Sequence, residues 1–259
     1  MKTLNLVGPG AVDLADRLVP RLDGRVATVE TLPETAARDT DAGAAYGLSS
    51  DGSWIGAGDG RSLPELLDSL VPDFDHALTV GFDDVELPTV VVGDAEAAGD
   101  VVATVDDADA TLESVLDAVA DLDPRVTLES LVERAKASPL AKRSGAIATF
   151  TGRVRVKDSE DDDPTTHLEF EKYEGVAADR MRTIREELEA REGVFEVLMH
   201  HRTGVIREGE DIVFVVVLAG HREEAFSTVQ DGINRLKDEV PIFKKESTTD
   251  EEFWIHERS

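Results

Sequence analysis

Apolar residues follow two different grammars along this chain, and the change between them divides it. In the first part the apolar runs are short, rich in β-branched residues and closed by Gly, Pro or Asp: 4–7, 25–29, His76–Val80, Thr89–Val92 and Val101–Val105. Such runs predict strands. Between the first two, Val12, Ala15, Leu18, Val19 and Leu22 recur at helical spacing, which predicts a helix over 12–22. A further helix is expected over 111–122, with Thr111 as its N-cap. The stretch 40–61, rich in Gly, Ser, Asp and Ala, is expected to be loop. Short apolar strands separated by helices call for a mostly parallel sheet, hence an α/β N-terminal domain.

The grammar changes at Asp121-Leu122-Asp123-Pro124, the expected junction between a domain over 1–122 and one over 123–259. Beyond it Leu128, Leu131, Val132 and Ala135 form one helical stripe, and strands are predicted over 146–156, 167–173, 194–200 and 212–219. A charged amphipathic helix is expected over 175–190. A last, long helix carries Phe226, Val229, Ile233, Leu236 and Val240 at alternating steps of three and four, until Pro241 ends it. This order predicts an α+β domain with a mainly antiparallel sheet. No internal repeat is present.

Composition narrows the chemistry. The 259 residues suffice for two domains, and 41% of them are hydrophobic, enough for buried cores. No apolar run approaches bilayer length, and MKTLNLVGPGAV opens on a strand pattern without the layout of a signal peptide, so a cytoplasmic protein is expected. There is no cysteine, which excludes disulfides, thiolate metal sites, a Cys nucleophile and a persulfide carried on the chain. Any sulfur handled here must arrive on another molecule. With 27 Lys+Arg against 55 Asp+Glu the net charge is −28, which excludes wrapping nucleic acid. The acids are spread along the chain rather than gathered in a tail. That distribution points to a salt-adapted host, where molar salt shrinks the Debye length to about 3 Å. Lysine is scarce: there are eight, at 2, 136, 142, 157, 172, 237, 244 and 245, and three of these fall within 237–245.

Leu6-Val7-Gly8-Pro9-Gly10 sits where a phosphate loop would sit, between a strand and a helix. A working P-loop adds a Lys for the phosphates and a hydroxyl for magnesium. Here Ala11-Val12-Asp13 follows, so a tight strand–helix turn is the expectation. The region nonetheless resembles the nucleotide-binding adaptor (MobB-like) family of molybdopterin guanine dinucleotide biosynthesis. The likeness rests on 4–8, on Arg25-Val26-Ala27-Thr28-Val29, on Thr79-Val80-Gly81-Phe82 and on Leu87-Pro88-Thr89-Val90-Val91-Val92-Gly93. It implies a degenerate P-loop-like fold and a pathway, not GTP hydrolysis.

Four cationic clusters mark the second domain: Thr151-Gly152-Arg153-Val154-Arg155 at the end of a strand, Gly220-His221-Arg222 at the start of the last helix, Lys237 near its C-terminus, and Lys244-Lys245 beyond Pro241; Arg258 lies past Phe253-Trp254. Each has a plain structural explanation. A lysine near a helix C-terminus complements the macrodipole. Arg153 and Arg155 share one side of an extended strand, where cross-strand pairing is the default. Their accumulation in an acidic, lysine-poor chain suggests an anion site, for which Arg suits bidentate phosphate recognition.

The run from Gly145 to Arg155 resembles the opening of the molybdopterin synthase catalytic (large) subunit, the MoaE family. So do Leu168-Glu169-Phe170-Glu171-Lys172-Tyr173, His201-Arg202-Thr203-Gly204 and the run from Ala219 to Phe226. The ending from Leu236 to Glu246, with Trp254 downstream, is the most specific piece. The match covers essentially the whole second domain, in order.

The resemblance implies a sulfurtransferase. A small ubiquitin-like carrier brings sulfur as a C-terminal Gly-Gly thiocarboxylate, and two sulfurs pass to cyclic pyranopterin monophosphate (precursor Z) to form the molybdopterin dithiolene. It implies Lys237 as the essential catalytic group and Lys244 as the second active-site lysine. Arg155, His221 and Arg222 hold substrate or its phosphate; Arg153, Val154, Lys245 and Glu246 complete the lining; Arg258 reaches a neighbouring subunit's site. It further implies a catalytic dimer within a heterotetramer; no tightly bound cofactor or metal is expected, and the charge and hydropathy of the chain argue against a nucleic acid or membrane partner. The competing expectation is a non-catalytic nucleotide- or pterin-binding scaffold of the same pathway. The acidic loop 157–166 departs from the family pattern and is either a solvated loop or a lid that deters wrong anions.

Overall fold

The computed structural model describes residues 1–32, 43–106, 112–157, 163–172, 174–248 and 252–255. They form two compact units, Met1–Thr127 and Leu128–Ser259. Residues 123–127 therefore belong to the first unit, not the second. Hydrogen bonding explains this: the Arg125 amide donates to the Met1 carbonyl at 2.8 Å, the Met1 amine donates to the Arg125 carbonyl at 3.1 Å, and the Arg125 Nε donates to Asp68 Oδ1 at 2.7 Å.

In the first unit β1 (Lys2–Val7), β2 (Val26–Glu30), β5 (His76–Val80), β6 (Thr89–Val92) and β7 (Val101–Val105) form one sheet in the order β2-β5-β1-β6-β7. Every pairing is parallel, as the short apolar strands required. Helices α1 (Ala11–Leu18) and α3 (Leu112–Asp121) bury Leu14, Leu18, Val115 and Val119 against Leu4, Leu6, Leu78, Val90 and Val92. The helix expected over 12–22 stops at Leu18 and tightens into a 3-10 turn over Val19–Arg21. Pro20 is the reason, because it has no N–H to continue the α ladder. The expected N-cap, Thr111, lies outside the described residues. Within the sheet, Asn5, Thr79 and Thr89 are buried but fully bonded: Thr79 Oγ1 donates to Asn5 Oδ1 at 2.8 Å, and Asn5 Nδ2 donates to the Phe82 carbonyl at 2.7 Å.

The stretch 40–61 is not all loop. It contains an antiparallel hairpin of β3 (Ala44–Leu48) and β4 (Trp54–Gly58). Its turn is tied by Asp51, whose Oδ1 accepts from Ser49 Oγ at 2.6 Å and from the Ser53 amide at 3.0 Å. Glycine and alanine dilute the strand signal there, and Tyr46, Leu48, Trp54 and Ile55 all remain exposed. Helix α2 (Leu63–Leu70) follows. Its N-terminus is a capping box: the Ser62 amide donates to Glu65 Oε2 at 2.8 Å while Ser62 Oγ accepts from the Glu65 amide at 3.4 Å.

The second unit holds α4 (Leu128–Ala137), α5 (Glu174–Glu189) and α6 (Arg222–Glu239) with two antiparallel sheets. One sheet has the order β10-β12-β8, from β8 (Ala146–Arg153), β10 (Val194–His201) and β12 (Asp211–Ala219). The other has the order β11-β9-β13-β14, from β9 (Thr165–Lys172), β11 (Gly204–Arg207), β13 (Ile242–Thr248) and β14 (Glu252–Ile255). The strand expected over 146–156 ends at Arg153, where a register shift between Asp211 and Val213 bends the ladder. Central β12 is buried along nearly its whole length, which makes it an unbroken apolar run. Helix α6 lies on it: a Cβ on Gly232 would come within 3.1 Å of Val215 Cγ1. Val229, Ile233, Leu236 and Val240 are buried as the stripe predicts, but Phe226 is 66% exposed and Ala225 takes the core position instead.

Candidate functional site

The expected site residues are distributed by the register of β8 against β12. Ala146 pairs with Ala219 at one end, and Arg153 pairs with Asp211 at the other. Seven strand steps separate Ala146 from Arg153, or about 24 Å. The four cationic clusters fall at these two ends.

At the Ala219 end, β12 runs into Gly220 and then α6. The Gly145 amide donates to the Ala219 carbonyl at 3.1 Å, and the Gly220 amide donates to the Gly193 carbonyl at 2.8 Å. A Cβ on Gly145 would stand 2.6 Å from the Gly220 carbonyl oxygen, so only glycine allows this approach. An open depression here is lined by Gly145, Gly220, His221, Arg222, Glu223 and Glu224. His221 occupies the N-cap position in extended conformation, without a capping bond from its side chain, and both His221 and Arg222 are exposed. The imidazole and guanidinium thus stand at the positive end of α6, where an anion is favoured.

At the Asp211 end, Arg153 Nε lies 3.2 Å from Asp211 Oδ1, and its NH2 donates to the Gly209 carbonyl. Val154 is 3% exposed. Its amide donates to the Glu210 carbonyl at 2.9 Å and its carbonyl accepts from the Gly209 amide at 3.0 Å, so it anchors the segment that carries exposed Arg153 and Arg155. Since β8 stops at Arg153, strand alternation does not extend to Arg155.

Helix α6 carries Lys237 towards this second end. From Arg222, beside Ala219, the helix runs back over β12, meets Val215 at Gly232, and reaches Lys237 five residues later, about 7.5 Å further along. Lys237 is exposed in the last turn. The helix is capped by Val240, whose amide donates to the Leu236 carbonyl at 3.2 Å, and β13 begins at Ile242. The four steps from Val240 to Lys244 span at most about 14 Å. Lys237 and Lys244 therefore flank one turn.

Strand alternation then separates neighbours that the sequence grouped. Lys244 pairs in register with Phe170 and Glu246 with Leu168, so all four share one sheet face. Lys244 Nζ stands 3.5 Å from Glu246 Oε2, while Glu246 Oε1 accepts from Thr165 Oγ1 at 2.5 Å. Lys245 and its register partner Glu169 lie on the opposite face, 3.9 Å apart at Nζ and Oε2. One site cannot receive both lysines from a single face. Trp254 pairs with Lys245. Arg258 and most of the acidic loop, 158–162, lie outside the described residues.

Sequence reasoning missed the ionic network at the end of α6. Arg235 Nε donates to Glu239 Oε1 at 2.7 Å, Arg235 NH2 donates to Glu187 Oε2 at 2.5 Å, and Arg180 NH2 donates to Glu239 Oε2. The Arg235–Glu239 spacing of four was visible in the sequence, but its α5 partners were not. In the first unit, Gly8 and Gly10 have φ of 105° and 85°. A Cβ on Gly8 would meet the Val92 carbonyl oxygen at 2.1 Å. The loop packs tightly against the end of β6, with Asp13 in the first turn of α1 and no lysine near it in sequence.

Known proteins resemble this chain at two levels. The sequence profile described as "MoaE protein" matches residues 121–239. A protein of Haloferax volcanii described as "Probable molybdopterin synthase" is 63% identical over 100% of both chains. Among solved structures, molybdopterin synthase from Staphylococcus aureus is 30% identical over 45% of this chain and 83% of its own, with a TM-score of 0.42. A MobB protein homolog from Bacillus stearothermophilus is 18% identical over 46% of this chain and 99% of its own, with a TM-score of 0.35. The likeness to the Haloferax volcanii protein runs through both units of the chain.

Proposed function

Because the chain belongs to the MoaE family of molybdopterin synthase catalytic subunits, sulfur-transferring enzymes of molybdenum cofactor biosynthesis, we propose the following division of labour among its residues. The second unit moves two sulfurs from a small ubiquitin-like carrier to cyclic pyranopterin monophosphate. The sulfur comes on the carrier's C-terminal thiocarboxylate, since this chain has no cysteine to hold it. Thiocarboxylate and phosphate are both anions, so the reacting groups meet only where cations offset their repulsion. The observation that carries this reading is the placement of Lys237 and Lys244 on either side of the α6–β13 turn, in a chain with only eight lysines.

Lys237, exposed at the helix end, receives the carrier's C-terminus and supplies charge or a proton to the transfer. Lys244, held by Glu246, which is itself tied to Thr165, faces the pterin. Fixed ammonium groups oppose the negative charge that develops as the cyclic phosphate opens. Arg153 and Arg155 hold the phosphate from the same end of the sheet. His221 and Arg222 stand at the other end, beyond the reach of one pterin phosphate. Each site therefore takes them from a second catalytic chain, and a dimer with one carrier at each site follows. The first unit, lacking the P-loop lysine and hydroxyl, hydrolyses no nucleotide. The distributed charge of −28 keeps the protein soluble in a salt-rich cytoplasm.

The test is sulfur incorporation by purified protein supplied with thiocarboxylated carrier and the pterin precursor. Lys237→Ala is expected to lower turnover by about 10²- to 10⁴-fold, the range for loss of a proton-transfer group. A fully active Lys237→Ala protein would overturn the assignment.

A further inference from the structure

We infer that Glu239 is a positioning residue for the sulfur-transfer site, acting through Arg235 and Arg180 to fix the helix turn from which Lys237 projects. The inference rests on the reading of Lys237 given above.

Glu239 is the last residue of α6, where a carboxylate faces the negative end of the helix dipole. Helical preference alone disfavours an acid there, and Asp238 beside it adds to the mismatch. A local conflict of this kind persists where something else makes use of it. Two guanidinium groups hold the Glu239 carboxylate. Arg235, one turn earlier, donates from Nε to Oε1 at 2.7 Å and from NH2 to Oε2 at 3.3 Å, a side-on fork. Arg180 of α5 donates to the same Oε2. The Arg235 NH2 also reaches Glu187 of α5 at 2.5 Å. The central pair is three-quarters covered, with both side chains 24% exposed. These bonds hold the Glu239 carboxyl below its usual range, chiefly through Arg235 and then Arg180. A forked pair inside a network is the kind of ionic contact that resists screening best.

The geometry gives this network its target. Arg235 and Glu239 are four residues apart and share the helix face turned to α5. Lys237 is two residues from each, about 200° around the helix, and so leaves the opposite side of the same turn. Just beyond, Val240 is buried and Pro241 breaks the helix before β13 carries off Lys244. Without the network the final turn keeps its helical bonds, the Val240 amide bond to Leu236 and the burial of Leu236 and Val240, but loses the side-chain tie from Glu239 to α5, and helix ends fray. A lysine displaced by about 1 Å costs up to a hundredfold in rate.

The experiment compares steady-state sulfur transfer by the full-length chain and five variants. Glu239→Gln and Arg180→Gln are each expected to lower kcat about ten- to a hundredfold while leaving KM for the pterin within about twofold. The double variant should be no slower than the slower single, since both act on one turn. Asp231→Asn removes a different α6 ion pair, Arg191–Asp231 at 2.7 Å, and should leave kcat unchanged. Arg180 is the outer, more exposed member, so its variant tests the network if Glu239→Gln fails to fold. Lys237→Ala runs in parallel. If it stays active, the catalytic reading falls; if it is inactive while Glu239→Gln and Arg180→Gln keep full kcat, this inference alone falls. Equal losses in Asp231→Asn and Glu239→Gln would overturn it too, as general destabilisation.

Discussion

Two inactive variants of this protein should restore each other. The register of β8 against β12 puts Arg153 about 24 Å from the His221–Arg222 end. Lys237 lies towards the Arg153 end, because α6 runs back over β12 from Arg222. On the proposed reading, a site that uses both groups draws them from two chains of a dimer. Suppose Lys237→Ala and Arg222→Ala are each inactive as pure dimers. In a mixed dimer one site has both lesions and the other has neither, so half its sites work. Equal, freely exchanging chains give half mixed dimers, and the pool should regain about a quarter of wild-type activity. The assay is sulfur incorporation after co-refolding or co-expression, with differently tagged chains purified together to prove that mixed dimers formed. Pure mixed dimers should then show about half of wild-type activity. Mixed dimers with no activity would refute the two-chain site.

Other perturbations probe the frame. Gly8→Ala forces a residue with φ of 105° to accept a Cβ 2.1 Å from the Val92 carbonyl oxygen; it should destabilise the first unit by more than about 2 kcal/mol in a denaturant titration, while sulfur transfer by the intact fraction is unchanged. Acid should also find the α6 network. The Glu239 carboxyl lies below its ordinary value of 4.5 in the folded chain, so its ion pairs stabilise fully above that pH and fade as pH falls through the depressed folded value. Glu239→Gln should therefore flatten the loss of stability below about pH 4.5, read by thermal melts across pH; an unchanged slope would mean that the network contributes nothing to folding.

The sequence by itself determined the division into two units and the character of each. Short β-branched runs closed by Gly, Pro and Asp announced a parallel sheet, and the long stripe of Val229, Ile233, Leu236 and Val240 announced α6. These features were legible because burial on one face imposes a period that local sequence must obey. The absence of cysteine and the clustering of lysines at 237–245 are likewise properties of the sequence alone.

What escaped depends on partners distant in the chain. The β3–β4 hairpin has Gly or Ala at six of its ten strand positions and is held by its own cross-strand pairing and the Asp51 turn. Phe226 fits the helical stripe, yet the packing of α6 on β8 and β12 leaves it outside while Ala225 goes in. Lys244 and Lys245 look like one cluster until β13 sends them to opposite faces. Glu239 looks like a misplaced helix-end acid until α5 brings Arg180 to it. The two ends of the β8–β12 ladder carry the remaining lesson: spacing along a chain names the groups a reaction could use, whereas only strand register says which of them can meet, because a strand holds its two ends a fixed distance apart.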